Sequence, residues 1–432
     1  MNNIPQQISV GIVSSLNVSF SLEENYRFGN QIYKGDFCVS VEDDKIEFLG
    51  CCYDEIKFEP IDYETSFFVL NDVIIGIDFH WQKVEKQRFF GSLKLIVENG
   101  VITAINILSV EDYLVSVISS EMSATSYLEL LKAHAVISRS WLLCQFEETK
   151  TVYNKEKLLN IADTEMFINR WYERDKHTNY DVCADDHCQR YQGVTKITTT
   201  FAREAVEATR GEVLVCNGTI CDARFSKSCG GVTETFDTCW SENRFDYLVK
   251  VPDNVSETSN LDLTTESAAK KWIMYSPSSF CNVSDEDVLR QVLNNFDQPT
   301  KDFFRWKVVY TKQQLADILK RRSGYDFGEI LEIIPLKRGV SGRISYLKIV
   351  GTKTTVVVGK ELEIRKWLSE SHLYSSAFIV EKKDSCFIFY GAGWGHGVGL
   401  CQIGAAVMSK KGYDYRQILA HYYKNTEIQK IY

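Results

Sequence analysis

The chain has 432 residues, a net charge of -9, and 44% apolar against 25% charged residues. That length holds two or three domains or one large elaborated one, and the composition is that of an ordinary globular protein. The acidic balance argues against a nucleic-acid or anionic-membrane partner, and no apolar run reaches the roughly eighteen residues of a membrane-spanning helix.

The start, Met1-Asn2-Asn3-Ile4-Pro5, has neither a basic n-region nor an apolar h-region, so no signal peptide is read in this chain. Strand-like sequence begins at Ile8 and continues in alternation to about residue 110, with turn signals at Gly29-Asn30, Gly35-Asp36 and Asn99-Gly100. Ser92–Val97 and Val101–Ile105 flank Asn99-Gly100 as a hairpin. From 109 to 146 the pattern turns helical. Ser109 with Asp112 and Ser126 with Glu129 match capping boxes, so two helices are expected, the first burying Tyr113, Leu114, Val117 and Ile118.

Glu121 ends the first of these helices. An anion at a helix C-terminus is disfavoured by about 0.3–1 kcal/mol, which suits a general acid. A solvated glutamate at a helix end is the plain alternative. Lys132 and Arg139 lie seven residues apart on one face of the second helix. They read either as a solvated basic stripe or as a substrate clamp. His134 between them reads as a packed or surface histidine.

Residues 150–190 are polar and rich in His, Asp and Cys. His177, Cys183, His187 and Cys188 place four soft or borderline donors within a dozen residues, a set that suits tetrahedral zinc. The spacing is not that of a standard finger. A Cys183–Cys188 disulfide and an inert cluster stay open as alternatives. The chain has 13 cysteines, scattered rather than framed, and the odd count leaves at least one thiol unpaired.

A helix is expected over Phe201–Ala208, a glycine turn at Ser228-Cys229-Gly230-Gly231, loops near 252–268 and 293–302, and a helix over Thr311–Arg322. The C-terminal part reads strand, glycine turn, helix, turn, helix, short strand. Its turn, Gly391-Ala392-Gly393-Trp394-Gly395-His396-Gly397-Val398-Gly399, alternates glycine with larger residues. G-x-G-x-x-G is not met, because His396, Val398 and Leu400 occupy the third-glycine positions, and no P-loop occurs. Bare backbone beside Trp394 and His396 reads as a ligand wall or as a tight structural turn. No Ser-His-Asp or Cys-His hydrolase signature is present.

These pieces resemble, in order, the SpoIID/LytB family of stage II sporulation protein D and amidase-enhancer proteins. Glu111–Met122 with Leu130–Ser140 resembles its helical core, Asp181–Gly193 its Cys/His segment, Ala208–Leu214 and Ser228–Glu234 its next blocks. Gly393–Gly399, Gln402, Gly404-Ala405 and Ile418–Tyr423 resemble its C-terminal signature. The likeness spans about residues 90–430. Ser123 stands where the family often has Pro, and His134 where it usually has Gln. The resemblance implies a peptidoglycan lytic transglycosylase with Glu121 as its one catalytic residue. It implies Zn2+ ligands within the Cys/His segment, Cys183 and His187 first, then His177 and Cys188.

We therefore expect an α+β fold: β-rich flanking segments around a helical core that carries the catalytic Glu, with a Gly-rich strand-turn-helix C-terminal unit. The segments are 1–90, β-rich; 91–250, the family core; 251–385, mixed α/β accessory; and 386–432, the rest of the core. The expected reaction cleaves the MurNAc–GlcNAc β-1,4 bond of peptidoglycan glycan strands to leave 1,6-anhydro ends. Lys132, Arg139, Tyr191, Ser228, Trp394, His396 and Gln402 are the expected substrate contacts, with the glycine turn close to Glu121. The alternatives are a glycan-binding enhancer of a cell-wall amidase and a zinc-dependent hydrolase. The substrate implies an extracytoplasmic location.

Overall fold

The computed structural model describes residues 7–76, 82–123, 125–147, 166–171, 177–185, 187–254, 262–293 and 302–432. It is mixed α+β, with more strand than helix. The chain forms two compact units. One takes the described residues up to Arg139, His177–Gly211 and Tyr432. The other takes the described residues of 140–171 and Glu212–Ile431.

The first unit is built on an eleven-stranded sheet, antiparallel except where Val182–Cys183 joins Gln7–Ser15 in parallel. Its hairpin register is set locally. Val101 pairs with Glu98 across the two-residue loop Asn99-Gly100, and both loop residues take positive φ (53° and 75°). That is the type I′ geometry whose twist matches the strands it joins. The strand Val101–Ser109 runs straight into the helix Val110–Glu121. Ser109 Oγ accepts the Asp112 amide at 3.0 Å, which satisfies one orphan donor of the first turn. Tyr113, Leu114, Val117 and Ile118 are all buried, as the helical spacing requires.

The second helix spans Leu128–Glu147 and so begins two residues beyond Ser126. The Ser126 hydroxyl donates to the Ser123 carbonyl at 2.7 Å. It shapes the turn between the helices. Glu111 and Arg139 tie the two helices together. Nε and Nη2 of Arg139 donate to the two Glu111 oxygens at 3.0 and 2.6 Å. Glu111 also accepts the Tyr432 hydroxyl at 2.5 Å.

In the second unit, Arg305–Thr311, Cys386–Ala392 and Phe378–Lys382 form a three-stranded antiparallel sheet. Ile330–Arg338, Ile344–Gly351, Thr355–Gly359 and Met166–Asn169 form a four-stranded one. The helices Lys312–Ser323 and Glu361–Trp367 pack into a core with Trp306, Phe327, Ile349 and Phe389. Thr311 and Gln314 complete a capping box, and Gly324 ends its helix in the left-handed conformation (φ 80°). Residues 251–385 therefore contain much regular structure that their composition hides. The expected loops lie partly outside the described residues, at 255–261 and 294–301. The C-terminal order is as expected: helices Gln402–Lys410 and Tyr415–Tyr422, then strand Glu427–Lys430. No helix among the described residues is long and apolar enough to cross a membrane.

Candidate functional site

In the first unit, the Cys/His segment is hung on the first strand. Asp181 and Ala184 amides donate to the carbonyls of Ser9 and Gly11 at 3.0 and 2.9 Å, and Asp181 Oδ2 accepts both the Ser9 amide and its hydroxyl. The turn is closed by Cys188 N–H to Asp185 O and Tyr191 N–H to Ala184 O. This fold-back brings the donor atoms of His177, Cys183, His187 and Cys188 within 4.8 Å of one another. Cys188 Sγ lies 3.6 Å from His177 Nε2 and from His187 Nδ1, and Cys183 Sγ lies 3.8 Å from His187 Nδ1. Tetrahedral bonds of about 2.3 Å to sulfur and 2.0–2.1 Å to nitrogen give S···N edges of about 3.5 Å, so the four donors fit one metal ion. Hydrogen bonding with Cys188, and then with the two histidines, pulls the Cys183 thiol down to about 2 against the effect of burial.

Two residues outside that set hold it in shape. The Tyr180 ring stacks on His177 with centroids 4.5 Å apart. The Tyr180 ring in turn occupies space that only a glycine leaves, since a Cβ on Gly11 would lie 2.6 Å from it. Sequence reading missed both, because neither belongs to a ligand pattern. Beside the loop a cavity of about 270 Å3 is lined by Gly11, Thr103, Tyr180, Cys183, Asp185 and Arg190.

Glu121 is the last residue of its helix and is partly exposed. Its Oε1 accepts the Arg190 amide at 3.0 Å. Arg190 follows Cys188 by two residues, so the backbone just after the Cys/His donors holds the Glu121 carboxylate. The second histidine of interest, His134, is fully buried, with Nδ1 3.2 Å from Ser138 Oγ.

The expected substrate contacts fall into two groups. Arg139, Tyr191, Ser228 and Gln402 are buried. Arg139 is committed to Glu111. Tyr191 donates its hydroxyl to Asn106 Oδ1 at 2.5 Å and stacks on Tyr113 at 5.2 Å. The Ser228 backbone is bridged to Trp394 in both directions, at 3.1 and 2.8 Å. These four side chains lie in the interior, and Tyr191 also lines the cavity beside the Cys/His loop. Lys132, Trp394 and His396 keep some exposure. Lys132 pairs with Glu129 at 2.7 Å within the helix.

In the second unit, the glycine segment has a definite use. Gly393, Gly395, Gly397 and Gly399 all take positive φ, from 71° to 87°. What approaches the bare backbone is the buried Arg343. Its Nε and Nη2 donate to Gly395 O at 3.1 and 3.0 Å, and Nη1 donates to Cys229 O at 3.1 Å. A Cβ on Gly397 would lie 2.4 Å from the guanidinium carbon. Trp394 stacks on Phe303 at 4.6 Å and meets Tyr374 at 4.7 Å. His396 Nδ1 accepts the Val398 amide at 3.0 Å. Burial first, then Arg224 and Arg343, holds this histidine well below its usual range, so it is neutral.

A family model described as "Stage II sporulation protein" matches residues 98–216, the stretch that holds Glu121 and the Cys/His segment. This match and the relatives below support membership of the SpoIID/LytB family. A second model, a domain of unknown function (DUF8618), matches residues 234–399. The chain is 24% identical over 330 residues to stage II sporulation protein D of Bacillus subtilis, covering 74% of each. It is 26% identical over 323 residues to the amidase enhancer of the same organism, covering 72% of this chain but 39% of that one. An uncharacterized protein of Brachyspira hyodysenteriae is 26% identical over 341 residues, 79% of this chain and 72% of the other. Glu121 and the Cys/His loop lie on one unit.

Proposed function

We propose that this family member is a lytic transglycosylase acting on the glycan strands of peptidoglycan outside the cytoplasm. The observation that carries the reading is the Glu121 carboxyl, placed at a helix end and held through Oε1 by the Arg190 amide at 3.0 Å. Glu121 protonates the leaving O4 as the C1–O4 bond breaks. As carboxylate it then takes the proton of the muramyl C6 hydroxyl, whose oxygen closes on C1 to give the 1,6-anhydro ring. The nucleophile is already tethered, so one carboxyl serves where hydrolases use two. Lys132 is a proposed glycan contact of the first unit; Trp394, as a stacking ring, and His396 are proposed glycan contacts of the second. Residues 91–250 and 386–432 are the proposed core and 251–385 the accessory part.

The Cys/His donor set suits Zn2+, held by His177, Cys183, His187 and Cys188. Such an ion would supply rigidity to the loop that presents the Arg190 amide to Glu121. No step of the reaction passes through it.

A second reading is supported by the relative named amidase enhancer: this chain binds glycan and stimulates a cell-wall amidase. Incubation with purified glycan strands separates the two. Anhydro-muramyl ends in the product mass spectrum support cleavage by this chain. Unchanged strands, with faster release of stem peptides when an amidase is added, support the enhancer.

A further inference from the structure

A different cluster of donors lies in the second unit. Cys229, Asp253, Cys281 and Cys401 place three sulfurs and a carboxylate oxygen within 4.8 Å of one another. All four residues are buried, none more than 3% exposed. They are spread over 172 residues of sequence, so no motif announces them. Cys229 comes from the Ser228–Gly231 turn, where Gly230 and Gly231 take φ of 80° and 108°. Cys401 is the N-cap of the helix Gln402–Lys410.

Three features distinguish this cluster from a chance gathering of thiols. First, Cys229 and Cys281 Sγ are 3.7 Å apart. A disulfide needs about 2.0 Å, whereas two thiolates on one tetrahedral ion with bonds of about 2.3 Å sit about 3.8 Å apart. Second, backbone amides converge on the sulfurs. Cys229 N–H donates to Cys401 Sγ at 3.3 Å, Gly404 N–H to Cys401 Sγ at 3.4 Å, and Gly231 N–H to Cys229 Sγ at 3.4 Å. A neutral thiol is a weak acceptor, so this arrangement suits thiolate ligands. Third, Asp253 is oriented by its own shell. Oδ1 accepts the Tyr422 hydroxyl at 2.6 Å, and Oδ2 accepts the Cys281 amide and the Ser279 hydroxyl at 2.8 and 2.9 Å. All four donors are buried, where their anionic forms are costly without a counter-charge. A divalent cation reverses that cost by compensating the anions it binds.

We propose that Cys229, Asp253, Cys281 and Cys401 form a second, structural metal site for one thiophilic divalent cation, with Zn2+ the best match. Three soft sulfurs select against Mg2+ and Ca2+. The close spacing accommodates a single ion and not a multi-atom iron–sulfur cluster. The site ties the glycine turn at 229 to the helix that follows the 393–399 glycine segment. Being fully buried, it holds its ion during folding and shields it from chelators, unlike the partly exposed Cys/His loop.

The test is independent of the enzymatic reading. The full chain carrying Cys183→Ser and Cys188→Ser, which removes the first donor set, is purified in the presence of Zn2+ and examined by native mass spectrometry. One retained ion per chain, still present after a brief EDTA treatment and released by denaturant, is the expected result. Loading with Co2+ instead should give an intense thiolate-to-cobalt charge-transfer band, and adding Cys281→Ser should weaken that band or abolish the bound ion. A folded chain without an ion, or peptide mapping that finds a disulfide among Cys229, Cys281 and Cys401, overturns the proposal.

Discussion

Glu121→Gln keeps the shape of the side chain and its acceptor for the Arg190 amide, but removes the titratable proton. Anhydro-product formation should fall by roughly 10^2–10^4-fold or more with the melting temperature little changed. A variant that retains most of its turnover would remove Glu121 from the mechanism. The glycine segment makes a second contrast between single residues. Gly397→Ala would put a Cβ 2.4 Å from the buried guanidinium of Arg343, at a φ of 75°. Gly395→Ala meets only Ser226 Cβ, at 3.3 Å. The first should cost roughly 3–5 kcal/mol and the second about 1–2 kcal/mol, the ordinary cost of a left-handed alanine. Urea unfolding of the two variants checks the ranking. Equal losses would mean that Arg343 yields.

At the scale of elements, the first strand and the Cys/His loop form one device. Val182–Cys183 pairs with Val10 and Gly11, and the Tyr180 ring passes over Gly11 to reach His177. Gly11→Val should displace that ring and weaken metal binding by about 10–100-fold, the range seen for lost outer-shell partners. Competition with a chromogenic chelator measures it, and an unchanged affinity would show that Tyr180 does not support the ligand. The pair Glu111–Arg139 joins two helices in the same unit. Removing one partner strands the other charge in the interior. Glu111→Gln should therefore cost about 3–5 kcal/mol, read from denaturant midpoints at equal slope. Tyr432, which also donates to Glu111, adds to that loss.

For the whole molecule, acid is the informative perturbation. Burial lowers His372 to about 3 and His421 to about 4, and His396 also lies well below its usual value. A histidine depressed in the folded state is neutral there and protonated in the unfolded chain below about 6.5. Its contribution is therefore present above pH 6.5 and lost as pH falls. Each such group adds about 1.4 kcal/mol per pH unit to the slope between its unfolded and folded values. Thermal unfolding should show falling stability from pH 6.5 towards 4, with a shallower fall in His421→Gln. Loss of the metal proposed for the Cys/His loop would add to the decline as its ligands protonate. An equally steep fall in that variant would assign the slope to other groups.

Local chemistry made much of this protein legible. The Asn99-Gly100 hairpin, the Ser109 cap, the Phe201–Ala208 helix and the closely spaced Cys/His donors depend on neighbours within a few residues, where period, turn chemistry and capping act directly. Sequence alone also brought out the family, because its blocks keep their order. The tertiary structure decided which side chains face inward. Arg139 and Lys132 share a helix face by spacing, yet one is sealed against Glu111 and the other stays near solvent. The glycines at 393–399 read as room for a ligand, and at Gly397 that room is taken by Arg343, which no local pattern links to them. Cys229, Asp253, Cys281 and Cys401 look like unrelated residues until the fold sets them within 4.8 Å of one another. Side-chain periodicity reports a face over a few turns of chain, whereas burial and coordination depend on which distant segment packs against that face.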